Sequence, residues 1–510
     1  MIAAGWLQAL LDAERARTAD RWAIDELGIP SLELMERASV GLAGLVGEVA
    51  PEGRIAVVCG GGNNGGDGYA AARLLRDSWR DVVVLAAVPP ADLRGDARVQ
   101  VERLPGEPPE PFDATRLAGT AVVVDALLGT GFSGSPRGPV GEAVAVLEGS
   151  GLPVVACDVP SGVDASTGEV AGPAVRAVAT ATFHAVKPGL VVNPGKARAG
   201  SVRLVDIGIP TGAPIAPPDS GLMLDAPLLA ELPERAPGWT KFTSGHVLVA
   251  GGSRGLTGAT VLGALAAMRA GAGYVTVCVP ASQQPALAAQ LVEVMQLALD
   301  DEGGHHTPAG AEAVLAEAER RGGALVLGPG LGKDEGAAGF AREVAARAQV
   351  PLLLDADGLN AHAERLPELA LRGSATVLTP HDGELGRLLG VPSGAVAAHR
   401  LRHARDAARR SGAIVVLKGD DTLVAAPDGA VAISPGATPA LATAGTGDVL
   451  SGVAGALLAR GLDPFLAACA AVRLHARAGL IAAERRGVDG VIARDVVEAL
   501  PQARTAGVGA

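Results

Sequence analysis

The sequence predicts an α/β chain of two domains, each built on a parallel sheet flanked by helices. Three observations carry this reading. Strand-length apolar runs alternate with helical stretches along most of the chain, several of them run straight into glycine-rich turns, and the pattern lapses in a proline-rich stretch before starting afresh at His246. At 510 residues the chain exceeds what one ordinary hydrophobic core organises. Hydrophobic residues at 48% against 19% charged mark a folded chain. Aromatic residues make up only 2%, which leaves almost no stacking platform for single-stranded nucleic acid. A net charge of −12 argues against a nucleic-acid partner or an anionic membrane surface. A phosphate ligand must then be held by local backbone and helix ends.

Taken in order, residues 12–50 read as two amphipathic helices broken at Gly28-Ile29-Pro30. A strand at Ile55–Cys59 enters GGGNNGGDG (Gly60–Gly68), and a helix is expected from Tyr69 to Leu75. Strands at Val82–Ala86, Ala121–Asp125, Val154–Asp158 and about Ala179–Phe183 follow, with helical stretches between them. Pro210, Pro214, Pro217, Pro218, Pro227, Pro233 and Pro237 then crowd a stretch whose early part has no clear periodicity. The boundary falls near 212–222, giving domains 1–215 and 223–510.

The second half opens with a strand at His246–Ala250 that enters GGSRGLTGAT. Further strands are expected at Tyr274–Val279, Ala324–Leu327, Pro351–Asp355, Thr376–Thr379 and Ile414–Lys418, with a small-residue tail after about Arg504. No fixed-period repeat relates the halves. Cys59, Cys157, Cys278 and Cys469 form no CxxC pair and sit in apolar runs, so buried reduced thiols are expected. Arg269 and Asp448 interrupt the longest apolar candidates, so no run is expected to span a bilayer. No basic stretch followed by an apolar core is visible at the N-terminus, and the expected compartment is the cytoplasm.

The stretch ATAGTGDVLSGV (Ala442–Val453) organises the second half. Gly445 and Gly447 let backbone N–H groups crowd an anion, and a helix over about Val449–Ala459 points its positive end at the same place. Asp448 there would repel a phosphate, but makes sense as a base that takes a proton from a hydroxyl attacking phosphorus. An acid in the first turn also stabilises any helix, so spacing alone leaves both readings open. In the first half, Gly60, Gly62 and Gly65 satisfy GxGxxG after a strand. The next strand ends Leu85-Ala86-Ala87-Val88-Pro89 without the acid a dinucleotide-binding fold wants for ribose, and no Lys-Ser/Thr ending makes a P-loop. What remains is a set of oxygen donors at strand ends: Asn63, Asn64 and Asp67 on the turn, Asp125 closing AVVVD and Asp158 closing VVACD. Asn64, Asp125 and the Ser161 hydroxyl suit a hard cation, while GTGFSGS (Gly129–Ser135) offers backbone donors to a phosphate. Asx turns and strand-end caps would also account for any one of these acids.

These motifs resemble two known families. Leu34-Met35-Glu36, CGGGNNGGDG, VDALLGTGFSG, DVPSGVDASTG and FHAVKPG are similar to the NAD(P)H-hydrate epimerase family. KFTSGHVLVAGGSRGLTGAT, GAGYV, LGPGLG, DADGLN, LTPHDGEL, VLKGDDTLVA and ATAGTGDVLSGV are similar to the ribokinase-like, ADP-dependent NAD(P)H-hydrate dehydratases. Together they cover nearly the whole chain, in the order of the bifunctional nicotinamide nucleotide repair family.

The resemblance implies a Rossmann-like three-layer domain followed by a ribokinase-like one. It implies that Asn63, Asn64, Gly65, Gly66 and Asp67 contact the hydrate, as do Gly129, Thr130, Gly131, Phe132, Ser133, Gly134, Ser135 and Asp158. Asn64, Asp125 and Ser161 would hold potassium, and Asp158 is the candidate for proton transfer. In the second domain Ala259, Gly330, His381 and Asp448 would contact the hydrate, and Lys418, Gly419, Asp420, Asp421, Thr422 and Gly447 the AMP moiety. The acids Asp420 and Asp421 are unexpected beside a nucleotide. His381 after Thr-Pro has a plainer reading as a turn cap. Five lysines against thirty-eight arginines make lysine a disfavoured choice, yet Lys187, Lys241 and Lys418 fall inside the motifs. The implied substrates are NADHX, NADPHX and ADP with Mg2+, in a cytoplasmic homo-oligomer. A kinase of a vitamin or sugar hydroxyl and a non-catalytic scaffold in the first half are the alternatives.

Overall fold

The computed structural model describes residues 4–505; the tail expected after Arg504 lies, from 506 onward, outside them. The runs of β-branched and aliphatic residues become strands within a residue or two of where their pattern places them. They fall into two compact units. One is Ala9–Ser220, and the other begins at Gly221 and takes in the N-terminal residues through Gln8. The strand Leu7–Ala9 pairs with Ser220–Met223 at the edge of the second unit's sheet.

In Ala9–Ser220 seven strands run in the order Glu110–Pro111, Val82–Ala86, Arg54–Cys59, Thr120–Ala126, Val154–Cys157, Ala179–Phe183, Ser201–Val205, all parallel. Strand order reverses between Arg54–Cys59 and Thr120–Ala126, where open α/β sheets form their ligand crevice. Apolar clusters cover both faces, one around Leu42, Val57 and Tyr69 and one around Val58, Val123 and Leu147. The helices Ala13–Asp25 and Ser31–Val49 break at Gly28 as the sequence indicates.

One expectation is corrected. The helix after the first strand starts at Asn63, six residues before Tyr69, so NNGGDG is helical rather than a loop. Its glycines serve contact. A Cβ on Gly65 would collide with the Gly60 carbonyl, one on Gly66 would lie 2.7 Å from Met35 Cε, and one on Gly68 2.5 Å from Ala126 Cβ. Glycine density imitated a turn because close helix–strand packing needs the same residue.

The other unit holds an eleven-stranded sheet. The strands Ile414–Leu417, Thr376–Leu378, Leu352–Leu354, Ala324–Leu327, His246–Ala250, Tyr274–Pro280 and Met295–Leu299 are parallel in that order. The antiparallel strands Leu423–Ala425 and Val431–Ile433 extend one edge. Order reverses between His246–Ala250 and Ala324–Leu327. Helices Thr257–Arg269, Thr446–Ala459, Pro464–Arg486 and Ala493–Thr505 contribute to one continuous core.

A second correction concerns membrane-length runs: Pro464–Arg486 is long and apolar enough to cross a bilayer by length and composition. Of its most apolar window 72% is buried in this core. Its buried Arg473 is committed to Asp225, Ser434 and the Gly436 carbonyl. It is a core helix. All four cysteines are free and buried.

Helices Thr446–Ala459 and Thr257–Arg269 meet through small residues. A Cβ on Gly452 would overlap the Gly263 carbonyl and lie 2.9 Å from Ala266 Cβ. Gly452→Ala is therefore expected to destabilise the fold by about 1–3 kcal/mol through overpacking, although alanine is the better helix former. Urea titration measures this, and an unchanged or raised midpoint would contradict the packing argument.

Candidate functional site

In the unit Ala9–Ser220 a cleft of about 750 Å³ opens at the reversal point. The start of helix Asn63–Asp77 gives it Asn63, Asn64 and Asp67, the loop after Thr120–Ala126 gives Gly129 to Ser133, and the end of Val154–Cys157 gives Asp158. Gly65 and Gly66 face the packing described above, and they and Gly134 and Ser135 are outside this lining.

Asp158 sits in the left-handed region at φ 67° with its carboxylate surrounded by donors. Lys187 Nζ donates to Oδ1 at 2.6 Å, Thr182 Oγ1 reaches Oδ1 at 3.4 Å, and the Thr130 N–H and hydroxyl both donate to Oδ2. Burial opposes its charge, but Lys187 and these hydrogen bonds outweigh it and hold the carboxyl below the usual range. Asp67 goes the other way. Burial first, then the charges of Asp158 and Asp20, push its carboxyl well above the usual range, with Lys187 opposing. Asp20, which also lines the cleft, is raised by burial against the pull of Lys187.

Beneath the cleft lie Asn64, Asp125 and Ser161. Ser161 N–H donates to Asp125 Oδ2 at 2.8 Å and its hydroxyl to Oδ1 at 2.6 Å, while the Leu128 N–H donates to Ser161 Oγ at 2.9 Å. Asp125 is fully buried and burial pushes its carboxyl up to about 6, against the hydrogen bonds from Ser161 and Leu127. Both amide atoms of Asn64 are buried with no hydrogen-bond partner among the described residues. An orphaned amide oxygen, a hydroxyl and a buried carboxylate fit a cation without demanding one of high charge.

In the other unit the loops at the reversal point interlock. Gly252 N–H donates to the Pro329 carbonyl, Ser253 N–H to the Gly330 carbonyl, and a Cβ on Gly330 would lie 3.2 Å from Ala259 Cβ. Asp448 falls in the first turn of Thr446–Ala459, whose N-cap Gly445 is left-handed at φ 89°. Burial first, then Asp355 and Glu384, push its carboxyl up to about 7, with Lys418 opposing. Lys418 Nζ donates to Asp355 Oδ1 at 3.0 Å and lies 3.7 Å from Glu384 Oε2. Burial works against the lysine's charge, and Asp355 and Glu384 prevail and raise its pKa. Gly447 lies beside this ammonium, where a Cβ would make ordinary contact at 3.7 Å.

His381 caps helix Asp382–Leu389, its Nδ1 accepting from Gly383 N–H, while Glu384 accepts from the His381 N–H. The KGDDT loop also resolves. Asp421 is 1% exposed and pairs with buried Arg400 at 3.1 Å, and Arg400 also binds Asp382 and the Lys418 carbonyl. Thr422 Oγ1 closes the turn with Gly419, and Asp420 is exposed. Lys241 is exposed beside Phe242 and joins neither cluster. Asp20, Thr182, Asp355, Glu384, Arg400 and Ser451, whose hydroxyl donates to Asp355 Oδ2 at 2.7 Å, are not among the residues the sequence singles out. Asp355 and Glu384 stand inside DADGLN and TPHDGEL, and an acid beside a strand end or in a first helical turn was the available signal.

The geometry defines a two-domain α/β protein with an oxygen-rich cleft at the first sheet's reversal point and a lysine–carboxylate cluster in the second unit. The family model described as NAD(P)H-hydrate dehydratase matches residues 247–502, and that described as YjeF-related protein N-terminus matches 31–189. The chain is 39% identical to the bifunctional NAD(P)H-hydrate repair enzyme Nnr of Moorella thermoacetica, covering 96% of each, and 40% identical to that of Salinibacter ruber, covering 97% of this chain and 95% of that one. The Escherichia coli enzyme of the same name is 34% identical over 96% of this chain and 92% of its own. Among solved structures, the ADP/ATP-dependent NAD(P)H-hydrate dehydratase of Bacillus subtilis, co-crystallised with ATP/Mg2+, is 30% identical, with 56% of this chain and 97% of that one covered at a TM-score of 0.49. The chain belongs to the bifunctional NAD(P)H-hydrate repair enzyme family.

The Arg400 pair anchors the loop that carries Lys418. Asp421→Ala would leave a buried guanidinium with Asp382 and backbone carbonyls alone, and is expected to cost about 3–5 kcal/mol of stability. Denaturant titration measures it, and a loss under about 1 kcal/mol would show the pair is dispensable.

Proposed function

We propose that this chain repairs nicotinamide cofactors damaged by water addition across a ring double bond. The unit Ala9–Ser220 interconverts the R and S epimers of NADHX and NADPHX, and the other dehydrates the S epimer at the expense of ADP, giving AMP and phosphate. The observation that carries the second activity is Asp448, a carboxyl poised near neutral pH at a helix start beside Lys418. Asp448 takes the proton of the hydrate hydroxyl as that oxygen attacks phosphorus. Loss of phosphate with the C–O bonding pair, and of a proton from the neighbouring ring carbon, then restores the ring double bond, and phosphate leaves far more readily than hydroxide. Magnesium, carried in with ADP, supplies positive charge to the phosphate oxygens. Ala259, Gly330 and His381 line the hydrate side, and Lys418 to Thr422 with Gly447 the AMP side. A vitamin or sugar kinase would release a stable phosphorylated product, and near-full-length similarity to repair enzymes disfavours it.

For the first activity, Asn64, Asp125 and Ser161 are the proposed potassium ligands. One carboxylate among neutral oxygens suits a monovalent ion, and no group of three or more His, Cys, Asp or Glu that could hold a metal occurs among the described residues. Bound potassium supplies a positive charge under the phosphate-facing loop. A homo-oligomeric, cytoplasmic protein completes the reading, and sedimentation tests the first point.

Purified protein given racemic NADHX, ADP and magnesium should regenerate NADH absorbance beyond the S fraction. Asp448→Asn should lower dehydration at least about a hundredfold while ADP affinity holds or rises, since a general base is worth roughly 10²–10⁴ in rate and repulsion from the phosphates is lost. The base works ionised, so kcat/KM should fall as pH drops below about 7. Turnover by the variant within about tenfold of wild type would reduce Asp448 to a helix-start acid. Epimerisation should respond to potassium and lose that response in Asp125→Ala. Equal wild-type rates with and without potassium would remove the cation.

A further inference from the structure

Of the carboxyls that line the cleft in Ala9–Ser220, Asp158 and Asp67 are held in opposite ways. Asp158 accepts from four donors, so both of its oxygens are occupied before substrate arrives. Asp67 is 9% exposed, lines the same cleft, and its carboxyl makes no hydrogen bond among the described residues. Its place is fixed by its backbone, whose carbonyl accepts from the buried Ser39 hydroxyl, in a helix start packed against Met35 and the Gly60 turn. A buried carboxyl with no protein partner, facing a cleft, is a costly arrangement unless a ligand completes it.

We propose that Asp67 is the proton donor and acceptor of epimerisation, and that Asp158 with Lys187 is the fixed charge that stabilises the cation formed. This rests on the repair reading of the site. The hydrate carbon lies beside the ring nitrogen. Asp67 gives its proton to the hydroxyl, the C–O bond breaks, and water leaves with the bonding pair as the nitrogen lone pair forms a C=N bond. The resulting iminium cation lies against ionised Asp158. Water adds to the opposite face, its oxygen supplies the new bonding pair, the C=N pair returns to nitrogen, and the released proton passes back to Asp67 through the water of the open cleft. Nothing is consumed. Burial and the charges of Asp158, Asp20 and Asp96 favour the protonated form of Asp67, with Lys187 opposing, while Arg17 and His184 also line the cleft.

The test uses the full chain with Asp67→Asn, which keeps size and polarity. Epimerase kcat should fall at least about a hundredfold with KM within about threefold, and dehydration of purified S-hydrate should be unchanged, which reports a folded protein. The wild-type rate should carry a limb that falls as pH rises, absent from the residual activity of the variant. Epimerisation in ¹⁸O-water should place one labelled oxygen in each inverted hydrate. An Asp67→Asn protein within tenfold of wild type, or inverted hydrate without label, overturns the proposal. A wild-type protein that does not epimerise at all overturns the repair reading itself.

Discussion

Everything at the two sites depends on how closely backbone can approach backbone where each sheet reverses its strand order. In the first unit Gly60 fits under the Leu127 carbonyl and Gly65 over the Gly60 carbonyl, and no side chain fits either place. In the second, Gly251 meets the Pro329 carbonyl and Gly328 the Asp355 carbonyl. These contacts draw a helix start and two strand ends into one small volume. Side chains leaving those ends then converge without a long loop to order, so their placement costs little further conformational entropy.

The same closeness sets the charges. Each crevice has a lysine against one aspartate and a second aspartate left to the consequences of burial. Lys187 holds Asp158 ionised while Asp67 rises; Lys418 binds Asp355 while Asp448 rises to about 7. In both cases the acid beside the lysine is itself a cause of the rise, because a second negative charge nearby in a buried place is unfavourable. Asp158 and Asp67 are thereby pushed in opposite directions, as acid–base chemistry in one site uses. The four buried thiols take no part, and burial raises each of them.

Much of this was legible in the sequence, and the illegible parts share a cause. Strands declared themselves because parallel strands buried on both faces are continuous apolar runs, so Val82–Ala86, Ala179–Phe183, His246–Ala250 and Ala324–Leu327 fall where their pattern places them. Edge elements did not. Ser201–Val205 is largely exposed, and Leu7–Ala9 is three residues long and fixed by a partner distant in sequence. NNGGDG misled because glycine marks close packing and tight turns alike. At the sites, residues on glycine loops stood out, whereas Asp355 and Glu384 matter through Lys418, which is 63 and 34 positions away from them respectively. Pairing at such separation leaves no local trace.

The loop that carries Lys418 shows why lysine is kept there in a chain that otherwise prefers arginine. Arg400 binds Asp382, Asp421 and the Lys418 carbonyl together, a task for a planar fork with several fixed donors. That arrangement pairs buried Asp421 with a guanidinium and leaves Asp420 as the exposed acid of KGDDT. Lys418 itself must stand between Asp355 and Glu384 and still answer the charge of Asp448. A compact ammonium on a flexible stem can shift among three carboxyls as a proton leaves or arrives, whereas a guanidinium would lock onto one of them in two-pronged contact. The fork holds the loop and the point charge serves the chemistry, on two residues eighteen positions apart.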